Sequence, residues 1–252
     1  MARITCNFYS RTLLRAVDIT VIIPTITCPE SLDPNEKPNF IFKKKFPVIY
    51  LLHGFGNNHA IWTAYTNVEM FAEERRIAVV NLSAENKFYS KVGMDDFFTF
   101  VSEELPEFVT NMFPISDKPE ESYIAGLSMG GYGSYLHGLS HPERYAAIGA
   151  FSAPSSNRRT GGKRPDLLKL AKDIAKEGKK FPKIYAACGT EDFLFSDSKK
   201  FAMKLKELGA DVTWEEVEGY KHEWRFWNLE VERFMDWLPR KDYYAKLGKR
   251  PV

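Results

Sequence analysis

Ser128 stands at the centre of Gly126-Leu127-Ser128-Met129-Gly130, directly after the strand-forming run Ser122-Tyr123-Ile124-Ala125. Glycine two residues before and two after a serine is the pattern of a nucleophile elbow. In this sharp strand-to-helix turn a side chain at either flank would strike the neighbouring strand and helix. Gly131 and Gly133 relax the turn further. A serine hydroxyl needs a base to take its proton, and a carboxylate to hold that base in the correct tautomer. Both follow in order: Asp192 within Gly189-Thr190-Glu191-Asp192-Phe193, and His222 within Glu218-Gly219-Tyr220-Lys221-His222-Glu223-Trp224. Glu191 and Asp197 are alternative acids, Asp197 being also a candidate N-cap for the next helix. The chemistry implied is attack of the Ser128 oxygen on an acyl carbon, with His222 as general base and Asp192 stabilising the imidazolium.

An oxyanion formed in that attack needs backbone donors. Met129, the residue after the nucleophile, supplies one N–H; the loop His53-Gly54-Phe55-Gly56-Asn57-Asn58 supplies another through Phe55. The imidazole of His53 is expected to brace this loop. His59, His137 and His141 lie in loop or helix contexts that suit surface or capping roles. The aromatics Trp62, Phe88, Phe193 and Trp224 flank these loops, so the candidate pocket residues are His53, Gly54, Trp62, Phe193 and Trp224.

These side chains sit where strands should end. Short apolar runs over 46–52, 77–82, 122–125, 146–151 and 183–188 suit parallel strands buried on both faces. Helical spacing recurs over 97–112, where Phe98, Val101, Leu105 and Val109 share a face, and over 165–178, 199–208 and 224–238. Alternating polar and apolar residues over 4–10 and 15–24 predict an antiparallel N-terminal hairpin, and 211–217 a last strand before His222. Strand alternating with helix means a doubly wound α/β sheet. With the elbow it specifies an α/β-hydrolase fold in one domain spanning 1–252. Residues 28–45 read as a surface loop, 152–180 as a short connection or reduced lid, and 240–252 as a charged tail. Arg158, Arg159, Lys163 and Arg164 gather in that connection, where they are either a solvated run or an attraction for an anionic ester.

With 35 basic against 33 acidic residues, a net charge of +2 provides no field for nucleic acid or an anionic membrane. The N-terminus lacks an apolar leader and no stretch is apolar enough to span a bilayer, so a cytoplasmic protein is expected. Cys6, Cys28 and Cys188 are widely spaced and form no zinc or redox pair. No metal or cofactor is expected. The partner is a small-molecule ester, and a homo-oligomer stays open.

The chain resembles the esterase D-like carboxylesterases, which include S-formylglutathione hydrolases, bacterial tributyrin esterases and carbohydrate esterases of family one. The resemblance covers nearly the whole length and rests on short blocks. These are Phe8-Tyr9-Ser10, Val21-Ile22-Ile23-Pro24, the His53–Asn58 loop with Trp62, Glu103-Glu104-Leu105-Pro106, Gly126 to Gly133, Cys188 to Leu194, and His222-Glu223-Trp224. It is nearest to the tributyrin esterase branch. It implies hydrolysis of short-chain acyl esters, with nucleophile, acid and base on Ser128, Asp192 and His222 and oxyanion donors on Phe55 and Met129. Thioester cleavage and deacylation of acetylated or feruloylated sugars are the family's other activities, and a non-catalytic binding protein is the distant alternative. Where S-formylglutathione hydrolases carry a cysteine-bearing loop, this chain has Gly54-Phe55-Gly56-Asn57-Asn58.

Overall fold

The computed structural model describes residues 1–35, 40–156 and 165–246. The strands are β1 (Ala2–Ser10), β2 (Arg15–Ile23), β3 (Val48–Leu52), β4 (Ala78–Leu82), β5 (Lys91–Val92), β6 (Asp95–Asp96), β7 (Ser122–Leu127), β8 (Ala147–Phe151), β9 (Lys183–Gly189) and β10 (Val212–Val217). Eight of them form one sheet in the order β1-β2-β4-β3-β7-β8-β9-β10, while β5 and β6 pair separately. The hairpin of β1 and β2 is antiparallel, and β2 joins β4 antiparallel; β4, β3, β7, β8, β9 and β10 run parallel. Every residue of β3, β4, β7 and β8 is buried, as expected of strands covered on both faces.

The chain leaves β3 toward β4 on one side and later returns to place β7 on the other. That reversal is a topological switch point, where the loops at the strand ends diverge and leave a crevice. Leu52 pairs with Gly126 across β3 and β7, so the loop after β3 and the turn after β7 open side by side. One face of the sheet packs Tyr50, Ile124 and Ile148 beneath Met129, Tyr135 and Leu139 of the helix Met129–Ser140. The other packs Leu51, Tyr123 and Phe151 against Phe226 and Phe234 of the helix Trp224–Trp237. Burying side chains of this size stabilises by ~1.5–3 kcal/mol each, which makes the strand ends a rigid platform.

Several segments depart from the sequence expectation. The helix expected over 97–112 is a composite of Phe97–Thr99, a π-helical stretch Phe100–Glu104 and Leu105–Met112. Pro106 has no N–H to donate to the Ser102 carbonyl, which accepts from the Arg144 guanidinium instead. The Glu104 carboxylate is drawn inward to accept from Ser10 Oγ, Arg11 N and Thr12 N at 2.8, 2.8 and 3.0 Å, closing the β1–β2 turn. The loop expected over 28–45 begins with a helical turn, Cys28–Leu32, closed by a capping box between Thr27 and Glu30. In the 152–180 connection, the helix Leu167–Lys176 buries Leu167, Ala171 and Ile174 against the helix after Ser128, so it belongs to the core and does not cover the crevice. Residues 157–164, with Arg158, Arg159, Lys163 and Arg164, lie outside the described residues, as do 247–252 of the tail. The start of that tail is packed. Tyr244 stacks on Phe46 at 4.6 Å and donates to the Lys44 carbonyl at 2.8 Å.

Candidate active site

Ser128 sits at φ 50°, ψ −114°, between the end of β7 and the first turn of Met129–Ser140. A non-glycine residue in that region costs of the order of 1–3 kcal/mol, and the surroundings impose it. A Cβ on Gly126 would stand 2.6 Å from the Gly130 carbonyl carbon and 2.8 Å from the Leu52 Cβ, and one on Gly130 would stand 2.6 Å from the Leu52 carbonyl carbon. Only glycine lets strand, turn and helix close this tightly. The turn is tied down by Ser128 N–H donating to the Phe151 carbonyl at 2.8 Å and Tyr132 N–H donating to the Ser128 carbonyl at 3.0 Å.

The loops after β9 and β10 carry the other two groups. Thr190 N–H donates to the Val217 carbonyl at 3.1 Å and Glu191 N–H to the Tyr220 carbonyl at 3.0 Å, so the two loops are laced together. His222 Nε2 lies 3.0 Å from Ser128 Oγ, and its Nδ1 lies 2.8 Å from Asp192 Oδ2. Three residues distant in sequence thus form one continuous relay. The Asp192 side chain is 0% exposed and that of His222 21%, so the carboxylate has no competing solvent while the imidazole meets the crevice. Burial pushes the Asp192 carboxyl up, but hydrogen bonds from His222, the Leu194 N–H and Ser152 outweigh it and hold the group below its ordinary range. It therefore stays charged at neutral pH beside the His222 imidazole. Glu191 is exposed, 3.7 Å from Lys221 Nζ. Asp197 lies inside the helix Phe195–Glu207, whose N-cap is Leu194, and accepts from Ser155 N and Oγ at 2.7 Å. Neither alternative acid reaches His222, and Asp197 is a loop latch rather than a cap.

A cavity of about 850 Å³ opens over Ser128 and His222. Gly54, Phe193 and Trp224 line it as the sequence expects, together with Phe55, Phe88 and Met129. His53 and Trp62 do not. Both are buried behind the wall: Trp62 donates from Nε1 to the Leu52 carbonyl at 3.1 Å and supports Trp224 edge-on at 5.5 Å. His53 Nδ1 bonds the Gly54 carbonyl at 2.7 Å and its Nε2 accepts the Ala84 N–H at 3.0 Å, which assigns the proton to Nδ1. Burial pushes its pKa down to about 4, so the ring is neutral and braces the loop. The Met129 N–H belongs to the first turn of its helix, where backbone donors lack intrahelical acceptors.

Trp227 is a residue that sequence reasoning missed. It lines the cavity, one helical turn beyond Trp224, and that i, i+3 spacing was a readable sign that both rings face the same loop. Cys188 lies buried beneath the acid loop, its thiol pushed up to about 12 by burial and by Asp192. Among the described residues no group of three or more His, Cys, Asp or Glu side chains is placed to hold a metal ion, and no helix is long and apolar enough to cross a membrane.

Comparison with known proteins agrees with this architecture. The family model described as "Putative esterase" matches residues 34–233. An acetyl esterase of Caldicellulosiruptor saccharolyticus is 31% identical over 278 residues, covering 95% of this chain and 99% of the relative. The solved structure of a fluorophosphonate-binding serine hydrolase of Staphylococcus aureus superposes with a TM-score of 0.83 at 24% identity, covering 95% of this chain and 99% of that one. An S-formylglutathione hydrolase of the same organism superposes with a TM-score of 0.80 at 24% identity, covering 94% and 98%. The structural likenesses establish an α/β-hydrolase fold; with the family match and the sequence relative, they place this chain in the esterase family, as a carboxylic ester hydrolase.

Proposed function

We propose that the protein hydrolyses short-chain acyl esters through an acyl-enzyme on Ser128, with His222 as general base, Asp192 as its orienting carboxylate, and the Phe55 and Met129 N–H groups as oxyanion donors. One observation carries this reading: the 3.0 and 2.8 Å relay from Ser128 through His222 to Asp192, opening into a cavity walled by aromatic rings. Ser128 Oγ attacks the ester carbonyl as His222 Nε2 takes its proton. The imidazolium, neutralised by Asp192 at Nδ1, then passes that proton to the departing alkoxide, and the alcohol leaves. Water enters on the same side, gives its proton to His222, and releases the acid from Ser128. The sheet, its hairpin and the connecting helices act as one domain, in which the helix Leu167–Lys176 of the 152–180 connection is part of the core.

A neutral, short acyl ester fits the lining. Among the described residues, the charged side chains lining the cavity beside His222 are Asp197 and Glu223, both acidic, which favours a neutral over an anionic ester. The acetyl esterase relative supports a small acyl group. Turnover of 4-nitrophenyl esters from acetyl to decanoyl, and of S-formylglutathione, by wild type and Ser128→Ala tests the reading. Acetyl or butyryl ester turnover that disappears in the variant is expected. Equal turnover by the variant would remove the assignment, and faster S-formylglutathione turnover would move the substrate to thioesters.

A further inference from the structure

The loop that carries Phe55 is closed from within by His53 Nδ1 and the Asn57 N–H, both on the Gly54 carbonyl at 2.7 and 3.3 Å, but is not held by these alone. Further supports come from the segment after β4. Ala84 N–H donates to His53 Nε2 at 3.0 Å, the Tyr89 hydroxyl donates to the His53 carbonyl at 2.8 Å, and Asn86 Oδ1 accepts the Gly56 N–H at 2.7 Å. Tyr89 is fully buried and itself pinned, its carbonyl accepting from His137 Nε2 at 3.0 Å. A Cβ on Gly133 would stand 2.5 Å from the Tyr89 ring, so the helix behind Ser128 presses directly on it.

The same segment is strained. Glu85, Phe88 and Tyr89 have φ of 49°, 52° and 58°, left-handed values that none of these side chains favours. Strain of this kind persists only where the surroundings over-determine it, and it has two outcomes. Phe88 is turned into the cavity, and the Tyr89 hydroxyl is turned under His53. The position of the His53 carbonyl matters because it lies against the elbow: a Cβ on Gly130 would stand 2.8 Å from it. Whatever fixes that carbonyl fixes the spacing between the oxyanion loop and Ser128.

We propose that Tyr89, with Asn86, positions the oxyanion hole: the two residues hold the 53–56 turn at its two ends and thereby aim the Phe55 N–H at the carbonyl oxygen bound over Ser128. The proposal rests on the reading of Phe55 as an oxyanion donor. A donor displaced from its line acts mainly on the tetrahedral state, where charge has moved onto oxygen, and little on the bound ester.

Tyr89→Phe keeps the ring and removes only the hydroxyl. On 4-nitrophenyl acetate we expect kcat to fall about 10- to 100-fold with KM within about threefold. Inhibition by a trifluoromethyl ketone, which forms a tetrahedral oxyanion on the serine, should weaken by a similar factor. Asn86→Ala acts at an exposed position, so it tests the other end of the turn without threatening the core; we expect a smaller kcat loss, again matched by the ketone. A purely structural role would lower Tm and leave kcat per titrated serine and ketone affinity unchanged. That outcome in Asn86→Ala, or in a folded Tyr89→Phe, overturns the proposal. Ser128→Ala, assayed alongside, separates the failures: if it is inactive while both brace variants behave as wild type, only the brace is wrong, and if it is fully active the underlying site assignment is wrong.

Discussion

The indole of Trp227 meets the imidazole of His222 edge-on, with 4.9 Å between centroids and 88° between planes, while its Nε1–H donates to Ser152 Oγ at 3.2 Å. The ring is wedged in turn by Trp224 at 5.1 Å. His222 is therefore positioned by packing on its face as well as by Asp192 at its edge. Trp227→Ala should lower kcat about 10- to 100-fold on 4-nitrophenyl acetate by freeing the imidazole. Trp227→Phe, which keeps a ring there and loses only the donor to Ser152, should lose much less. Steady-state kinetics of the pair decides whether the ring or the N–H matters more.

Asp192→Asn should be the most damaging near-isosteric change in the molecule. An amide at that position cannot neutralise the imidazolium and favours the wrong tautomer, so kcat is expected to fall ~10⁴-fold, with Tm little altered. Asp197→Asn, by contrast, disturbs only the latch to Ser155 and should stay within about tenfold of wild type. A comparable loss in both variants would show that Asp192 has no special place.

Gly130→Ala drives a methyl group into the Leu52 and His53 backbone. Backbone cannot rotate away as a side chain can, so the cost should reach about 3 kcal/mol or more. For a chain of this size that is a fall in Tm of the order of 10 °C. Esterase activity should fall with it, because whatever relieves the clash must move the turn after β7 or the loop after β3. Calorimetry together with nitrophenyl ester turnover checks both.

Acid should destabilise the fold through two buried histidines. Burial pushes His53 down to about 4 and His137 down to about 3, whereas in the unfolded chain each takes up a proton near pH ~6.5. Between those limits the unfolded state binds more protons, so their contribution is complete above pH ~6.5 and is lost as the pH falls toward 4. At pH 4.5 the loss is of the order of 2–3 kcal/mol for each histidine. Asp192, held below its ordinary range, has the opposite charge logic: its contribution persists until the pH drops below the unfolded carboxylate value near ~4. Urea unfolding at pH 7.5, 6, 5 and 4.5 should therefore show a falling midpoint before the carboxylates titrate, and His137→Phe should show a shallower fall.

Phe193 is 76% exposed, yet its ring lies 4.6 Å from that of His222 at the mouth of the cavity. A large apolar side chain held in water beside a reacting group is placed to touch the substrate. Phe193→Ala should raise KM for aryl esters by a few fold and leave kcat for methyl or ethyl acetate nearly unchanged. A uniform drop in kcat would instead make the ring a support for His222.

Local rules explain why so much was legible in the chain. Gly126 and Gly130 flank Ser128 because a side chain on Gly126 would strike the Gly130 backbone and one on Gly130 the Leu52 backbone, and that requirement is written at fixed spacing. The apolar runs of the central strands carry no alternation because both faces are covered, and the hairpin of β1 and β2 does alternate because one face is wet on β1. The capping box at Thr27 and Glu30 and the irregular turn before Pro106 were not read from the sequence, although both leave local signals there: threonine three residues before glutamate, and a proline inside a helical pattern.

Long-range packing decided the rest. No spacing rule indicates that His53 and Trp62 end up behind the cavity wall, because which face of a loop turns inward depends on what the neighbouring loop offers; here Ala84 and the Leu52 carbonyl supply the hydrogen bonds. The choice of Asp192 over Glu191 and Asp197 is of the same kind. All three carboxylates follow β9, and only the lacing of its loop to the residues after β10 aims one of them at His222. Sequence alone marked the tight turn around Ser128 and the alternation of strands with helices, since each depends on near neighbours, whereas the order of strands within the sheet is a matter of long-range pairing. The distances between Ser128, His222 and Asp192, and the strained segment under the oxyanion loop, were decided by the tertiary structure, because they are set by contacts between residues 30 to 94 positions apart.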